Sequence, residues 1–424
     1  MSGAFCKRNH TDCVRNRILQ ARRKKIVPSE YLSFMCQEAA RGTVSYNDLA
    51  ARISSETDGD ASRQAFFYRT KEEAIEFFKQ ILAAVIKQKH RLPNAEIIDL
   101  KFKRILIQDS TIIRLPDKFY EIFSGVRNAL STVCNARIQG VYDLLSGNFV
   151  SFSIDSYSKN DLIAAQEFDV QEGDLMLRDR GYFVLDAIDA MKHNGADSIM
   201  RYKHKTLFFD PTSLKELDLL SLLRTNGSLD IIAVTGKEKN IKVRILAAAV
   251  PEEVANIRRM RAKKEAKKKR ACSYELLQLL GWTIFITTIE DTSFGIQDAC
   301  NIYSLRWRIE CIFKTWKSNF SFEKFHNVSE LQLRILLHAR LILITAAYQF
   351  LYNPIEQLVY KSSGKRLSLL KFMRFISRCL ATFVNQFVKA ETRDQAVRKA
   401  AQYCCYEKRN RKSFADRMEF IKLT

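Results

Sequence analysis

The chain has 424 residues, with 69 Lys and Arg against 47 Asp and Glu, for a net charge of +22. A hydrophobic share of 47% with only 14 Gly and 6 Pro excludes an extended, linker-dominated chain and leaves room for two to four domains with at least one sizeable core. The basic excess favours a polyanionic partner, nucleic acid first and an anionic membrane surface second.

The opening MSGAFCKRNHTDCVRNR has no apolar segment of the secretory kind. Cys6, His10 and Cys13 offer three zinc ligands, but no fourth accompanies them and the spacing fits no common finger. The ten cysteines form no C-x-x-C pair, so they read as free thiols, and the adjacent Cys404 and Cys405 read as helix residues.

Residues 1–97 read as helical. SYNDLAARI (45–53) and ASRQAFFYRT (61–70) are short amphipathic segments joined by a turn-rich SSETDGD, and KEEAIEFFKQILAAVIKQ (71–88) is a stronger helix. Short helix, turn, short helix is the outline of a helix-turn-helix, with Ser62 as cap and Arg63 and Gln64 placed to touch DNA. A plain helical bundle fits equally, and the turn is long for the motif.

Near residue 100 the periodicity changes. KRILIQDST (103–111) reads as a buried strand, and CNARIQGVYDLL (134–145) with NFVSFSIDS (148–156) as a hairpin. In the second arm Val150, Phe152 and Ile154 alternate with serines, which predicts one buried face. KNDLIAAQEF begins a helix, DLMLRDRGY (174–182) is a short buried strand with a turn, FVLDAIDAMKHNG is a helix closed by Gly195, and SIMRYK is a strand. The order is that of a mixed α/β sheet.

Residues 204–279 interrupt the rhythm with SLDIIAVTG and KVRILAAAV as strands, followed by a helix with a basic half, RRMRAKKEAKKKR (258–270). That helix reads as a DNA-backbone contact, a solvated face being the plainer alternative. GWTIFITT returns to a buried strand, and from about 328 the chain reads as helical to its end, with a basic KRNRK at 408–412. LILITAAYQFLY (341–352) is too short to span a bilayer and sits among Arg334, His338 and Arg340, so no membrane is expected.

Between these segments lies YSLRWRIECIFKTWK (303–317). Wound as one helix, it gathers Leu305, Ile309, Ile312, Phe313 and Trp316 on an apolar stripe. Tyr303, Arg306, Glu310 and Lys317 fall within about 60° of each other on another face. Arg308 suits a solvated face, and Trp307 reads as packing at the edge of the stripe, with base stacking as the other option.

Asp109 and Asp179 stand at strand ends, where ligands gather in open α/β sheets, and Glu310 follows on a helix. Three carboxylates of this kind can hold two Mg²⁺ ions for displacement at phosphorus. Each also has a plain reading, as a loop cap or an ion-pair partner.

The segment YSLRWRIECIFKTWK carries Tyr-x2-Arg-x3-Glu-x6-Lys at Tyr303, Arg306, Glu310 and Lys317. With QDSTIIRLP (108–116) and DRGYF (179–183), it resembles the DDE transposases of bacterial insertion sequences, specifically the insertion-sequence-four group, over about residues 100–350. The resemblance implies an RNase H-like mixed-sheet core with a strand-rich insertion, flanked by helical N- and C-terminal regions. It divides the chain into a helical DNA-binding region (1–97), a first core part (98–203), the insertion (204–279), a second core part (280–352) and a helical C-terminal region for dimerisation (353–424).

It also implies Asp109, Asp179 and Glu310 as metal-binding catalytic residues for two Mg²⁺ ions, with Mn²⁺ as a substitute. Tyr303, Arg306 and Lys317 would hold DNA phosphates, and Arg180 beside Asp179 could do the same. The expected partners are terminal inverted repeats, target DNA and a second protomer, in the bacterial cytoplasm at the nucleoid. A stand-alone nuclease and a non-catalytic DNA-binding repressor are the alternative functions.

Overall fold

The computed structural model describes residues 26–42, 45–57, 61–88, 102–128, 131–159, 163, 169–236, 238, 240–269, 272–325, 327–407, 414 and 417–418. Cys6, His10, Cys13, the KRNRK stretch and most of KNDLIAAQEF lie outside them.

In chain order, helices α1 (Pro28–Arg41), α2 (Tyr46–Glu56), α3 (Arg63–Phe67) and α4 (Glu72–Lys87) come first. Strands β1 (Arg104–Arg114), β2 (Ser124–Asn128), β3 (Ser131–Asp143), β4 (Asn148–Ser156) and β5 (Asp174–Arg178) follow. Then come α5 (Leu185–His193), β6 (Asp197–Arg201), β7 (Phe208–Phe209), α6 (Leu219–Asn226), β8 (Ser228–Thr235) and β9 (Ile241–Ala249). The chain continues through α7 (Glu252–Lys269), α8 (Tyr274–Leu279), β10 (Trp282–Thr287), α9 (Ile296–Ser304) and α10 (Trp307–Asn319). It closes with α11 (Glu330–Ala347), a π-helical segment (Tyr348–Tyr352), α12 (Asn353–Ser363), α13 (Leu369–Val388) and α14 (Ala390–Tyr403).

These elements form two compact units. One comprises residues 1–96, 110–158 and 308–413, and the other 97–109, 159–307 and 414–424. The chain passes from one to the other inside β1 and again at the start of α10.

The second unit holds the first half of β1 in a sheet of order β1-β5-β6-β10-β9-β8-β7. β1, β5 and β6 run parallel, and the rest pair antiparallel. Ile105, Leu106, Ile107, Leu175, Met176 and Leu177 are fully buried, the continuous apolar run expected of parallel strands covered on both faces. At the foot of β1 and β5, Arg104 and Asp174 are register partners and form a two-pronged ion pair, with Nε to Oδ1 at 2.7 Å and Nη2 to Oδ2 at 2.5 Å. The strands of 204–279 extend this same sheet, because β9 pairs with β10 along six residues.

The first unit packs α11 against α1 and α4, and β4 against α4. Its sheet contains β2, β3 and β4, with β3 antiparallel to both. The hairpin forms as expected, but the predicted alternation in β4 does not. Phe149 is the buried ring, whereas residues 150–156 are all half-buried. Val141 pairs with Ser151 and the next residue, Tyr142, with Phe149, so Val150 is an extra residue in β4 itself, and this bulge changes the phase. Gly140 leaves the space over which Phe149, Phe152 and Phe313 meet, since a Cβ there would sit 3.2–3.4 Å from all three rings. Trp316 adds its ring at 5.2 Å from Phe149 and 5.8 Å from Phe152, which seats α10 on the hairpin.

Residues 330–363 are helical throughout and are long and apolar enough to cross a membrane by length and composition. That is longer than the apolar run at 341–352 read from sequence. Of its most apolar window, 83% is buried inside the protein, so it serves as a core helix. Arg340, fully buried in its middle, donates to the carbonyls of Ala39 at 2.7 Å, Phe322 at 3.1 Å and Lys324 at 2.6 Å. The end of α1 and the 322–324 turn are thereby tied together. Gly42 closes the same place with φ +92, where a Cβ would lie 2.8 Å from that of Ser321.

All eight described cysteines are free. Cys404 and Cys405 lie just past α14 rather than in it, and Cys405 bridges to Leu367.

Arg340→Met removes a charged donor from three carbonyls. It is expected to lower unfolding free energy by about 3 kcal/mol, read as a shift in urea midpoint. Arg104→Met leaves Asp174 buried beside an apolar chain and is expected to cost about as much by the same measurement.

Candidate active site

The site is built by register. Gln108 pairs with Arg178 at the end of the paired stretch, so Asp109 and Asp179 each stand one residue beyond it, Asp109 within β1 and Asp179 just past β5, about one strand spacing of 5 Å apart. Level residues share a face of the sheet. On the far side, Arg178 pairs with Met200, which sets Arg201 level with Asp179, and Arg201 pairs with Phe285 of β10. One row therefore reads Asp109, Asp179, Arg201, Phe285. Asp109 was expected at the end of its strand. β1 in fact runs on to Arg114, and what ends at residue 108 is its pairing with β5.

The predicted single helix over 303–317 is two. α9 ends at Ser304, a tight turn carries Leu305 and Arg306, and α10 begins at Trp307. The turn is held by Leu305 N to the Ile302 carbonyl and Arg306 N to the Tyr303 carbonyl, both at 3.0 Å. Across it, Tyr303 and Arg306 meet one aspartate each. The Tyr303 hydroxyl donates to the Arg178 carbonyl at 3.2 Å and lies 3.5 Å from Asp179 Oδ1. Its ring sits 5.0 Å from that of Phe285, with the Arg201 guanidinium 5.7 Å away. Arg306 Nη1 pairs with Asp109 Oδ2 at 3.1 Å. Tyr303 is 8% exposed, and burial pushes its phenol up to about 12, so it stays a neutral donor at ordinary pH.

Glu310 lies in the first turn of α10, half-buried, in the other compact unit. There Lys317 donates its Nζ to the Ile112 carbonyl and pairs with Glu323 at 3.3 Å. Leu305, Ile309, Ile312, Phe313 and Trp316 are buried as the stripe requires. Arg308 is not on a solvated face. It is 7% exposed and donates to the Tyr348 hydroxyl at 2.7 Å, which itself meets the Tyr142 hydroxyl at 2.7 Å. The physical reason is the phenol cluster, which lets a guanidinium be buried with hydrogen bonds and ring faces of Tyr348 and Tyr352. Trp307, read as packing, is 60% exposed.

Arg180 is exposed in the turn after Asp179. Arg63 and Gln64 are exposed on α3, a helix of five residues capped by the Ser62 side chain on Ala65 N. Arg201 was not singled out from sequence. A lone Arg ending the strand SIMRYK, right after the DRGYF strand, is the signal that could have found it.

Among the described residues, no group of three or more His, Cys, Asp or Glu side chains is assembled around a common point. The aspartate pair is nonetheless the donor chemistry that a hard divalent cation selects: carboxylate oxygens, level, on one face of a rigid sheet.

The Transposase DDE domain model matches residues 100–346. The transposase for insertion sequence element IS231B of Bacillus thuringiensis subsp. berliner is 27% identical over 86% of this chain and 81% of its own. That of IS231E from B. thuringiensis subsp. finitimus is 27% identical over 77% and 73%, and that of IS1151 from Clostridium perfringens 26% over 78% and 74%. A solved piggyBac transposase synaptic complex with hairpin DNA aligns over 94% of this chain and 82% of that one, at 11% identity and a TM-score of 0.40, too low to define a shared fold.

Because the Tyr303 phenol is raised from about 10 to about 12, the folded state binds more protons than the unfolded one in that window. Its contribution to stability is complete below pH 10 and is lost as pH rises towards 12. Tyr303→Phe is expected to remove part of this alkaline loss in urea midpoints measured at pH 9, 10 and 11.

Proposed function

This chain belongs to the Transposase DDE domain family, and from that premise we propose how its residues carry out DNA cleavage and transfer. It is a transposase that acts on DNA with the help of divalent metal ions. The finer reading is an RNase H-like core that binds the terminal inverted repeats of its own element, uses Mg²⁺ or Mn²⁺, and works as a dimer on DNA in the bacterial cytoplasm. The dimer follows from the need to cut two ends in concert.

The observation that supports this most is the level pair Asp109 and Asp179, each met by one residue of the Tyr-Arg-Glu-Lys signature. Glu310, four residues after Arg306, is proposed as the third carboxylate. When bound, two metal ions supply activation of the nucleophile and stabilisation of the leaving oxygen. The protein's share is to fix the carboxylates. Tyr303, buried and bonded to the Arg178 carbonyl, braces the strand end beside Asp179, and the strand register puts both aspartates on one face. Arg306, Lys317 and Arg180 are proposed to turn to DNA phosphates, with Arg201 level beside Asp179 as a fourth cation. Phosphate approaching three carboxylates needs such cations close by.

In the proposed sequence, water attacks the phosphodiester at the element end and releases a 3′-hydroxyl. That hydroxyl then attacks the opposite strand, giving a hairpin, or target DNA, giving the joined product. Arg63 and Gln64 are proposed as DNA contacts of the N-terminal region.

Incubation of the purified chain with labelled end DNA and Mg²⁺ should yield nicks, then hairpins or joined products, on a denaturing gel. Asp109→Asn, Asp179→Asn and Glu310→Gln should each lower cleavage by about a thousandfold or more while end binding persists. Cleavage at the wild-type rate by any of the three removes that residue from the proposed triad.

A further inference from the structure

The basic run at 258–270 does not act as one block. α7 has 18 residues and is about 27 Å long at 1.5 Å per residue. Two of its arginines are engaged with the fold. Arg258 donates to the Trp282 carbonyl at 3.0 Å and to Thr283 Oγ1 at 3.1 Å. Arg259 donates to the Leu277 carbonyl at 3.1 Å and pairs with Glu252 at 2.5 Å. With the buried Ala255, these bonds fasten the first half of the helix to β10 and α8.

Beyond the anchor, Arg261, Lys263 and Lys264 are exposed, and Lys267, Lys268 and Lys269 continue the run in sequence. Arg261 and Lys264 are one turn apart, with Lys263 next to Lys264, and Glu265 is the one acid that follows them in the helix. Like charges at this spacing repel, so the second half is costly as a merely solvated face and is relieved by a polyanion.

The anchor also adjoins the aspartate row. Thr283, which receives Arg258, lies two residues from Phe285 on the same face of β10, about 7 Å away. Phe285 is level with Arg201, whose guanidinium lies 5.4 Å from that ring, and Arg201 is level with Asp179, which Arg180 follows. Burial first, and then the neighbouring guanidiniums, hold Arg201 and Arg258 below the ordinary arginine range. These cations therefore form a line that starts beside Asp179 and ends at the base of α7.

We infer that α7 is a DNA-backbone arm: duplex adjoining the cleaved phosphate passes Arg180, Arg201 and Arg258 and lies along Arg261, Lys263 and Lys264. This rests on the transposase reading. Phosphate contacts carry no sequence information, so the arm supplies affinity and register, and recognition of the end lies elsewhere.

The test uses the full chain and the variant R261Q/K263Q/K264Q, titrated with labelled end DNA over a range of salt without metal. Each lost phosphate contact removes about 0.9 from the slope of log K against log salt, so the variant's slope should be shallower by about 2 to 3. Its affinity at low salt should fall by about tenfold or more, with the urea midpoint unchanged. A wild-type chain that cuts end DNA, beside a variant that keeps the full salt slope, overturns the arm alone. A wild-type chain that neither binds nor cuts DNA overturns the arm together with the transposase reading.

Discussion

The site depends on one ion pair at the opposite end of its strands. Arg104 and Asp174 grip each other with two bonds where β1 and β5 begin. Five residues further along each strand stand Asp109 and Asp179. Side chains alternate across a strand, so the register chosen at the foot decides which faces meet at the top. An Arg–carboxylate fork has a fixed geometry and tolerates no offset of one residue. Asp174 is 1% exposed, so misregister would leave a buried carboxylate without its partner. The apolar run between, from Ile105 to Ile107 and from Leu175 to Leu177, supplies burial but little choice of register, since both faces are covered. Burial holds the strands together, and the charged pair decides where.

A second constraint is the handling of positive charge. The aspartates face cations from both neighbours of the row, Arg306 over Asp109 and Arg201 beside Asp179. Tyr303 adds no charge there: its buried neutral hydroxyl donates to the Arg178 carbonyl, with Asp179 Oδ1 at 3.5 Å. Arg308, next but one after Arg306, is used differently again. It is set among phenols in the first compact unit, where its bond to Tyr348 ties α10 to the π-helical segment. Alternate residues of one short stretch thus serve a site and a core.

Much of this was legible in the sequence. The apolar runs ending in QDST and DRGY gave the two parallel strands and their acidic ends, because continuous burial and strand-end ligands both leave marks in a single chain. The stripe from Leu305 to Trp316 was legible through its period. The break at Leu305–Arg306 was not, since neither Pro nor Gly marks it and the helical period continues through it. Arg308 was misread because a phenol cluster from residues 142, 348 and 352 has no local signature. The alternation read for Val150, Phe152 and Ile154 failed because Val150 is a bulge residue, which shows only in the pairing of the two strands. The level placement of Arg201 with Asp179 is a fact of pairing between strands, and only the sheet supplies it.

The Arg104–Asp174 pair has a consequence for how copies of such a gene decay. Loss of one codon between residues 105 and 108, or between 175 and 178, leaves the ion pair and most of the apolar run in place. The aspartate beyond the deletion then turns to the opposite face of the sheet. When the loss falls in the first window, residues 111–114 turn as well, so that Ile112 and Arg114 take the buried places of Thr111 and Ile113. Single-codon loss in either short window therefore breaks the aspartate row while leaving the ion pair at its foot in place.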